Sequence, residues 1–118
     1  MEKESCCTDP HDAELLLEAI QDSLISVETA GLIAAALSAL SDPTRIRVIG
    51  LLARNEMCVG DLCLALEMTQ PAVSHHLRIL RNLNIVSARK SGRHVFYTLA
   101  DQHIHDIFNQ SLEHARHQ

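Results

Sequence analysis

Residues 69–83 read TQPAVSHHLRILRNL, and from this stretch to Ala100 the chain holds no Asp or Glu. Arg78, Arg81, Arg89, Lys90 and Arg93 put +5 between Met68 and Ala100, inside a chain of 118 residues with a formal net charge of −5. A region that keeps only positive charge within an acidic protein reads as an electrostatic footprint for a polyanion. Val73, Leu77, Leu80 and Leu83 recur at helical spacing and predict an apolar stripe. Thr69 offers an N-cap and Pro71 suits the first turn. Gln70, Ser74, His75 and Arg78 fall off the stripe and are expected to face outward.

Just before this stretch, Val59–Glu67 (VGDLCLALE) predicts a short helix with Leu62, Leu66 and Cys63 turned inward. Two short helices joined by a turn, the second basic, form a helix-turn-helix unit whose second helix enters the major groove. Gln70, Ser74, His75 and Arg78 suit base edges and phosphates, and Arg81 near the helix end suits a phosphate. After the stretch the periodicity switches to two. Ile85–Lys90 and His94–Leu99 predict the strands of a β-hairpin, with Ser91-Gly92-Arg93 as its turn. Arg89, Lys90 and Arg93, with His94, surround the hairpin tip, where they would grip the DNA backbone beside the helix. Any one of these arginines could simply be solvated; the combined pattern points to DNA.

The remaining segments complete the fold class: mainly α with a small β-hairpin, a winged helix-turn-helix. Residues 1–12 are polar and aperiodic and predict a flexible arm; residues 13–118 form the domain. Leu16, Leu17, Ile20, Leu24 and Ile25 predict an amphipathic helix over 13–25. Glu28–Leu40 is an Ala/Leu-rich helix, either buried in the core or partly a dimer interface. Asp42 and Pro43 start a third helix that runs to about Arg54, followed by a short loop, Asn55–Met57. The last helix runs from about Asp101 to His117.

Length allows one domain. With 47% apolar and 3% aromatic residues, the core must be Leu, Ile, Val and Ala. No apolar run approaches the roughly 20 residues of a membrane span, and the N-terminus lacks a signal pattern, so no membrane partner and a cytoplasmic location are expected. The four cysteines form no spaced framework and read as thiols in a reducing compartment. Residues 1–30 carry −7, so the acidity is concentrated away from the basic region.

EMCVGDL (56–62), AVSHHLRILRNLNIV (72–86) and RKSGRHVFYTL (89–99) closely resemble the ArsR/SmtB family of metal-sensing bacterial repressors. DPTRIRVIGLL (42–52) and DQHIHDIFNQSLEHARH (101–117) share the resemblance, which covers roughly Leu32 to the C-terminus. It implies a homodimeric winged helix that binds double-stranded operator DNA without metal. Metal binding then releases the DNA, and exporter or sequestration genes are expressed.

Two constellations could hold that metal. On the last helix, His103 and His114 differ by about 20° in azimuth, and His117 lies within about 60° of both. His103 and His114 are nevertheless about 16 Å apart along the axis, too far for one ion. An antiparallel pair of such helices across a two-fold axis would bring Asp101 and His103 of one chain to His114 and His117 of the other, twice. Three imidazoles and a carboxylate suit tetrahedral Zn²⁺. Taken alone, Asp101 reads as an N-cap and His117 as a tail residue; as a set, their spacing matches the family's C-terminal-helix site. His105 points about 200° away from His103 and is expected to be merely exposed.

The second constellation comes from the resemblance. Cys7, His11, Cys58 and Asp61 match a family site in which arm residues of one protomer reach a cysteine motif on the other, and Cys6 could substitute or add. Gly60 stands where a thiol-rich version has a second cysteine, so an all-cysteine site is not expected. This site could take Cd²⁺, Pb²⁺ or Cu⁺ in place of Zn²⁺. Cys63 is read as a buried core residue. The resemblance also implies that a ligating imidazole, His114, bonds a backbone carbonyl around Leu80–Asn84. The alternatives are a thiol-based sensor of soft metals, arsenite or oxidant using Cys6, Cys7 and Cys58, and a metal-binding protein without a regulatory role. An enzyme is not expected: the chain has no H-E-x-x-H motif, and the proposed four-donor sites leave no open position on the metal.

Overall fold

The computed structural model describes the backbone of residues 10–117 and the side chains of residues 13–117. The order of elements is α1 (Pro10–Ile20), a 3₁₀ turn (Gln21–Ser23), α2 (Val27–Ala39), α3 (Pro43–Leu52), β1 (Met57–Cys58), α4 (Val59–Leu66), α5 (Gln70–Asn82), β2 (Val86–Ser91), β3 (His94–Leu99) and α6 (Gln102–Arg116). The chain divides into two compact units between Leu32 and Ile33, within α2. In the first unit the apolar stripe of α1 (Leu16, Leu17 and Ile20) is exposed, as is Leu24 beyond it. Among the described residues no single helix is long and apolar enough to cross a membrane.

The second unit is a winged helix-turn-helix. α3, α5 and α6 start where short polar side chains satisfy a free N–H group of the first turn. The Asp42 carboxylate accepts from the Arg45 N–H at 3.0 Å, with Pro43 next in line. Thr69 Oγ1 accepts from the Ala72 N–H at 3.4 Å, and Asp101 Oδ1 from the Ile104 N–H at 3.2 Å. The core is aliphatic, as the composition demands. Val48, Ile49 and Leu52 of α3, Leu62 and Leu66 of α4, and Val73, Leu77 and Leu80 of α5 pack with Ile85, Val86 and Leu99. No polar or charged side chain is buried among the described residues. Leu83, expected in the core stripe of α5, is instead half-open at its C-cap, because the helix ends at Asn82. Asn84 then turns the chain at φ 60°.

The hairpin forms with Val86 opposite Leu99 and Ser91 opposite His94, and Gly92 takes φ 61° at its tip. A left-handed residue of this kind suits glycine, which lacks the Cβ that penalises it. One strand was not expected. The predicted loop before α4 ends in β1, which pairs Met57 with Tyr97 and Cys58 with Phe96, making a three-stranded antiparallel sheet ordered β1-β3-β2. Met57, Tyr97, Ala88 and Val86 consequently share the face toward the core, while Cys58, Phe96 and Arg89 share the outer face.

Candidate DNA interface and metal ligands

α5 divides its side chains as its periodicity predicts. Val73, Leu77 and Leu80 are buried, while Gln70, His75, Arg78 and Arg81 are exposed and Ser74 is half-buried. The two adjacent histidines separate. His75 faces out, whereas His76 turns in and its Nδ1 accepts from Arg45 Nε at 3.2 Å. Arg45 Nη1 also donates to the Ala39 carbonyl at 3.2 Å, so one guanidinium ties the DNA-facing helix to the end of α2.

Between α5 and β3 lies an open cleft of about 350 Å³ lined by Ser74, Leu77, Arg78, Arg81, Asn82 and Tyr97. Two guanidinium groups with hydroxyl and amide donors around one concavity suit a DNA phosphate. Tyr97 and Asn82 carry no sequence signal for this role. Tyr97 alternates to the inward face of β3 and reaches the cleft only because α5 packs against the sheet. At the hairpin, Lys90, Arg93 and His94 are exposed.

Arg89 behaves differently. Its Nε and Nη2 donate to the two oxygens of Glu56 at 2.9 and 2.7 Å, and its guanidinium lies 5.3 Å from the centre of the Phe96 ring. The hydrogen bonds from Arg89 hold the Glu56 carboxyl below its ordinary range; slight burial opposes this and the Arg89 charge reinforces it. The same bonds raise Arg89. The acid-free window from 68 to 100 therefore receives a carboxylate from 33 positions upstream of Arg89.

On α6, Asp101, His103, His114 and His117 are all exposed. Asp101 Oδ1 lies 3.5 Å from His103 Nδ1 while capping the helix, and the carboxylate has a second oxygen to offer a cation. His114 and His117 sit at the opposite end of the helix. Among the described residues, no three His, Cys, Asp or Glu side chains of one chain come together to hold a metal. This agrees with the rise of about 1.5 Å per residue, which keeps the two halves of the donor set apart within one helix. His105 is half-buried rather than exposed. Beside these residues runs an apolar groove of about 440 Å³, lined by Leu37, Leu40, Ile46, Ile107, Phe108 and Leu112 among others.

Of the thiol constellation, Cys6 and Cys7 lie outside the described residues, as does the side chain of His11, whose backbone is in α1. Cys58 is a half-buried free thiol at the N-cap of α4, where it makes no capping bond, and Asp61 is exposed in the first turn. Cys63 is half-buried against the core.

Comparison with known proteins agrees with this geometry. The family model described as bacterial regulatory protein, arsR family, matches residues 42–88. The chain is 41% identical over 97 residues to a transcriptional repressor SmtB homolog of Synechocystis sp., covering 82% of this chain and 74% of that one. It is 38% identical over 85 residues to a cadmium resistance transcriptional regulatory protein CadC homolog of Staphylococcus aureus, covering 71% of this chain and 70% of that one. The solution structure of apo-NmtR superposes with a TM-score of 0.69 at 35% identity, covering 80% of each chain.

Proposed function

The chain belongs to the arsR family of bacterial regulatory proteins and is a regulator of transcription, not an enzyme; from that premise we propose a metal-responsive repressor. It binds operator DNA as a metal-free homodimer and is released by zinc or a related heavy metal, which derepresses efflux or sequestration genes. The observation that carries this reading is the set of exposed Gln70, His75, Arg78 and Arg81 on α5, in a segment without Asp or Glu, flanked by exposed Lys90 and Arg93 on the hairpin. Residues 1–12 serve as the metal-binding arm and 13–118 as the DNA-binding and dimerising domain.

The split of donors on α6 supports both the metal and the dimer. Asp101 and His103 at one end, and His114 and His117 at the other, form two four-donor sets only when two α6 helices run antiparallel across a two-fold axis. The apolar groove beside them would then be covered by the second copy. Zn²⁺ held by these donors would tie the two α6 helices together. The chain's own part is to transmit that constraint. With metal on one ring nitrogen, His114 would offer the other to a backbone carbonyl around Leu80–Asn84, where α5 ends, and so would change the spacing of two α5 helices. By linkage, DNA weakens metal binding by the same factor that metal weakens DNA binding.

The test is a titration of a duplex selected by the metal-free protein from a random pool, repeated with Zn²⁺, Cd²⁺ and Cu⁺, with metal stoichiometry measured alongside. Zinc should lower DNA affinity; an unchanged affinity sinks the regulatory half. A second reading, soft-metal sensing through Cys6, Cys7, His11, Cys58 and Asp61, is favoured by the free thiol of Cys58 and by the likeness to a protein named for cadmium resistance. It predicts that Cys6/Cys7→Ser abolishes the response while His114→Ala leaves it.

A further inference from the structure

The fork of Arg89 is already filled. A guanidinium presents two parallel N–H groups, and the bidentate geometry it adopts toward Glu56 is the one it would adopt toward a phosphate. The sheet builds this clamp. Phe96 of β3 stands between Cys58 of β1 and Arg89 of β2 on the outer face, and Glu56, immediately before β1, reaches past it to Arg89. The guanidinium lies over the Phe96 ring, which supports it. One fork cannot hold a carboxylate and a phosphate in this way at once.

We propose that Glu56 is an internal phosphate surrogate that holds the wing's Arg89 out of contact with DNA and so restrains sequence-independent binding. The inference rests on the DNA-binding reading above. Phosphate contacts supply most of the affinity for non-specific DNA and carry no sequence information. Withholding one wing cation therefore weakens binding to bulk DNA, while the exposed side chains of α5 keep their access to base edges. Lys90 and Arg93 at the tip remain the wing's contacts.

The test uses the full chain, metal-free, with a labelled random-sequence duplex of about 30 base pairs, titrated between about 50 and 200 mM salt. Glu56→Gln keeps the shape and removes the charge. It should tighten binding by about 2- to 5-fold per chain, the scale of an exposed ion pair, and steepen the salt dependence by up to about 0.9 in slope per chain, about 1.8 for a dimer. Arg89→Ala should stay near wild type in both, and the double variant should match Arg89→Ala alone. Arg89→Gln repeats the arm with a longer side chain, and thermal melts show that each variant folds. The proposal is overturned by a Glu56→Gln variant no tighter than wild type, or by a gain that persists without Arg89, which would reflect only the general field of one lost charge. It is equally overturned if Arg89→Ala itself weakens binding severalfold. A wild-type chain that binds neither this duplex nor one selected from a random pool would overturn the DNA-binding reading as well.

Discussion

Glu67 ends α4 in the left-handed conformation at φ 55°, and its N–H bonds back to the Cys63 carbonyl. A side chain at such a position costs on the order of 1–2 kcal/mol, which glycine avoids while losing part of that in unfolded-state entropy. Glu67→Gly should therefore raise stability by about 0.5–1 kcal/mol, read as a higher urea midpoint at unchanged slope. At Glu56 the paired state has a pKa below the ordinary 4.5. Its contribution is thus complete above that value and is lost as pH falls through the lower folded pKa. The stability difference between wild type and Glu56→Gln should be flat from neutral pH to about 5, shrink below it, and diminish with salt. His103, 89% exposed in its side chain, packs against little and can be tested cleanly. His103→Ala should weaken zinc binding by at least the roughly 10- to 100-fold that loss of a supporting bond costs, abolish zinc-driven release, and keep metal-free DNA binding. Loss of DNA binding as well would indicate misfolding.

At the scale of elements, α3 and α6 meet at Gly50. A Cβ there would lie 3.1 Å from Phe108 Cζ, so glycine serves close approach rather than unusual backbone. Alanine gains up to about 1 kcal/mol of helix propensity against modest crowding, so Gly50→Ala should be near neutral. Gly50→Leu must displace the Phe108 ring and should cost about 1–3 kcal/mol, part of which Phe108→Ala restores in the double variant; calorimetric melts would show additive losses if the two side chains do not meet. α6 also carries the proposed metal donors, so under that reading the Leu variant should also alter zinc affinity. Helices of this chain were legible because each announces itself locally. Asp42, Thr69 and Asp101 cap, and aliphatic residues recur at three and four. β1 was not, since two residues, Met57 and Cys58, carry no periodicity and become a strand only by pairing with β3.

For the whole molecule, the local +5 within a net −5 makes DNA binding a matter of placement rather than of total charge. If the five cations of this window, less Arg89, each neutralise one phosphate per chain, a dimer should show a salt slope of about −7 on random duplex DNA. A slope near −9 would mean that Arg89 also joins. Charge at the groove on α6 should act on assembly instead. Ile107→Lys, on a side chain 44% exposed in the single chain, should leave the fold intact and weaken the dimer. Sedimentation equilibrium would decide this; an unchanged dimer would place the interface elsewhere.

The sequence by itself determined the winged helix-turn-helix and the two candidate surfaces, because caps, helical and strand periodicity and charge windows are short-range signals. The spacing of Asp101, His103, His114 and His117 along α6 was legible for the same reason: azimuth and rise along one helix follow from residue number. Tertiary structure alone decided the matters that join distant positions. It turned His76 toward Arg45 while leaving His75 outward, brought Tyr97 and Asn82 to the cleft beside Arg78 and Arg81, and set Glu56 on Arg89. No spacing rule connects Glu56, just before β1, with Arg89 on β2, 33 positions on. Their meeting depends on the register of the sheet, and the cleft at Tyr97 on how α5 packs against it.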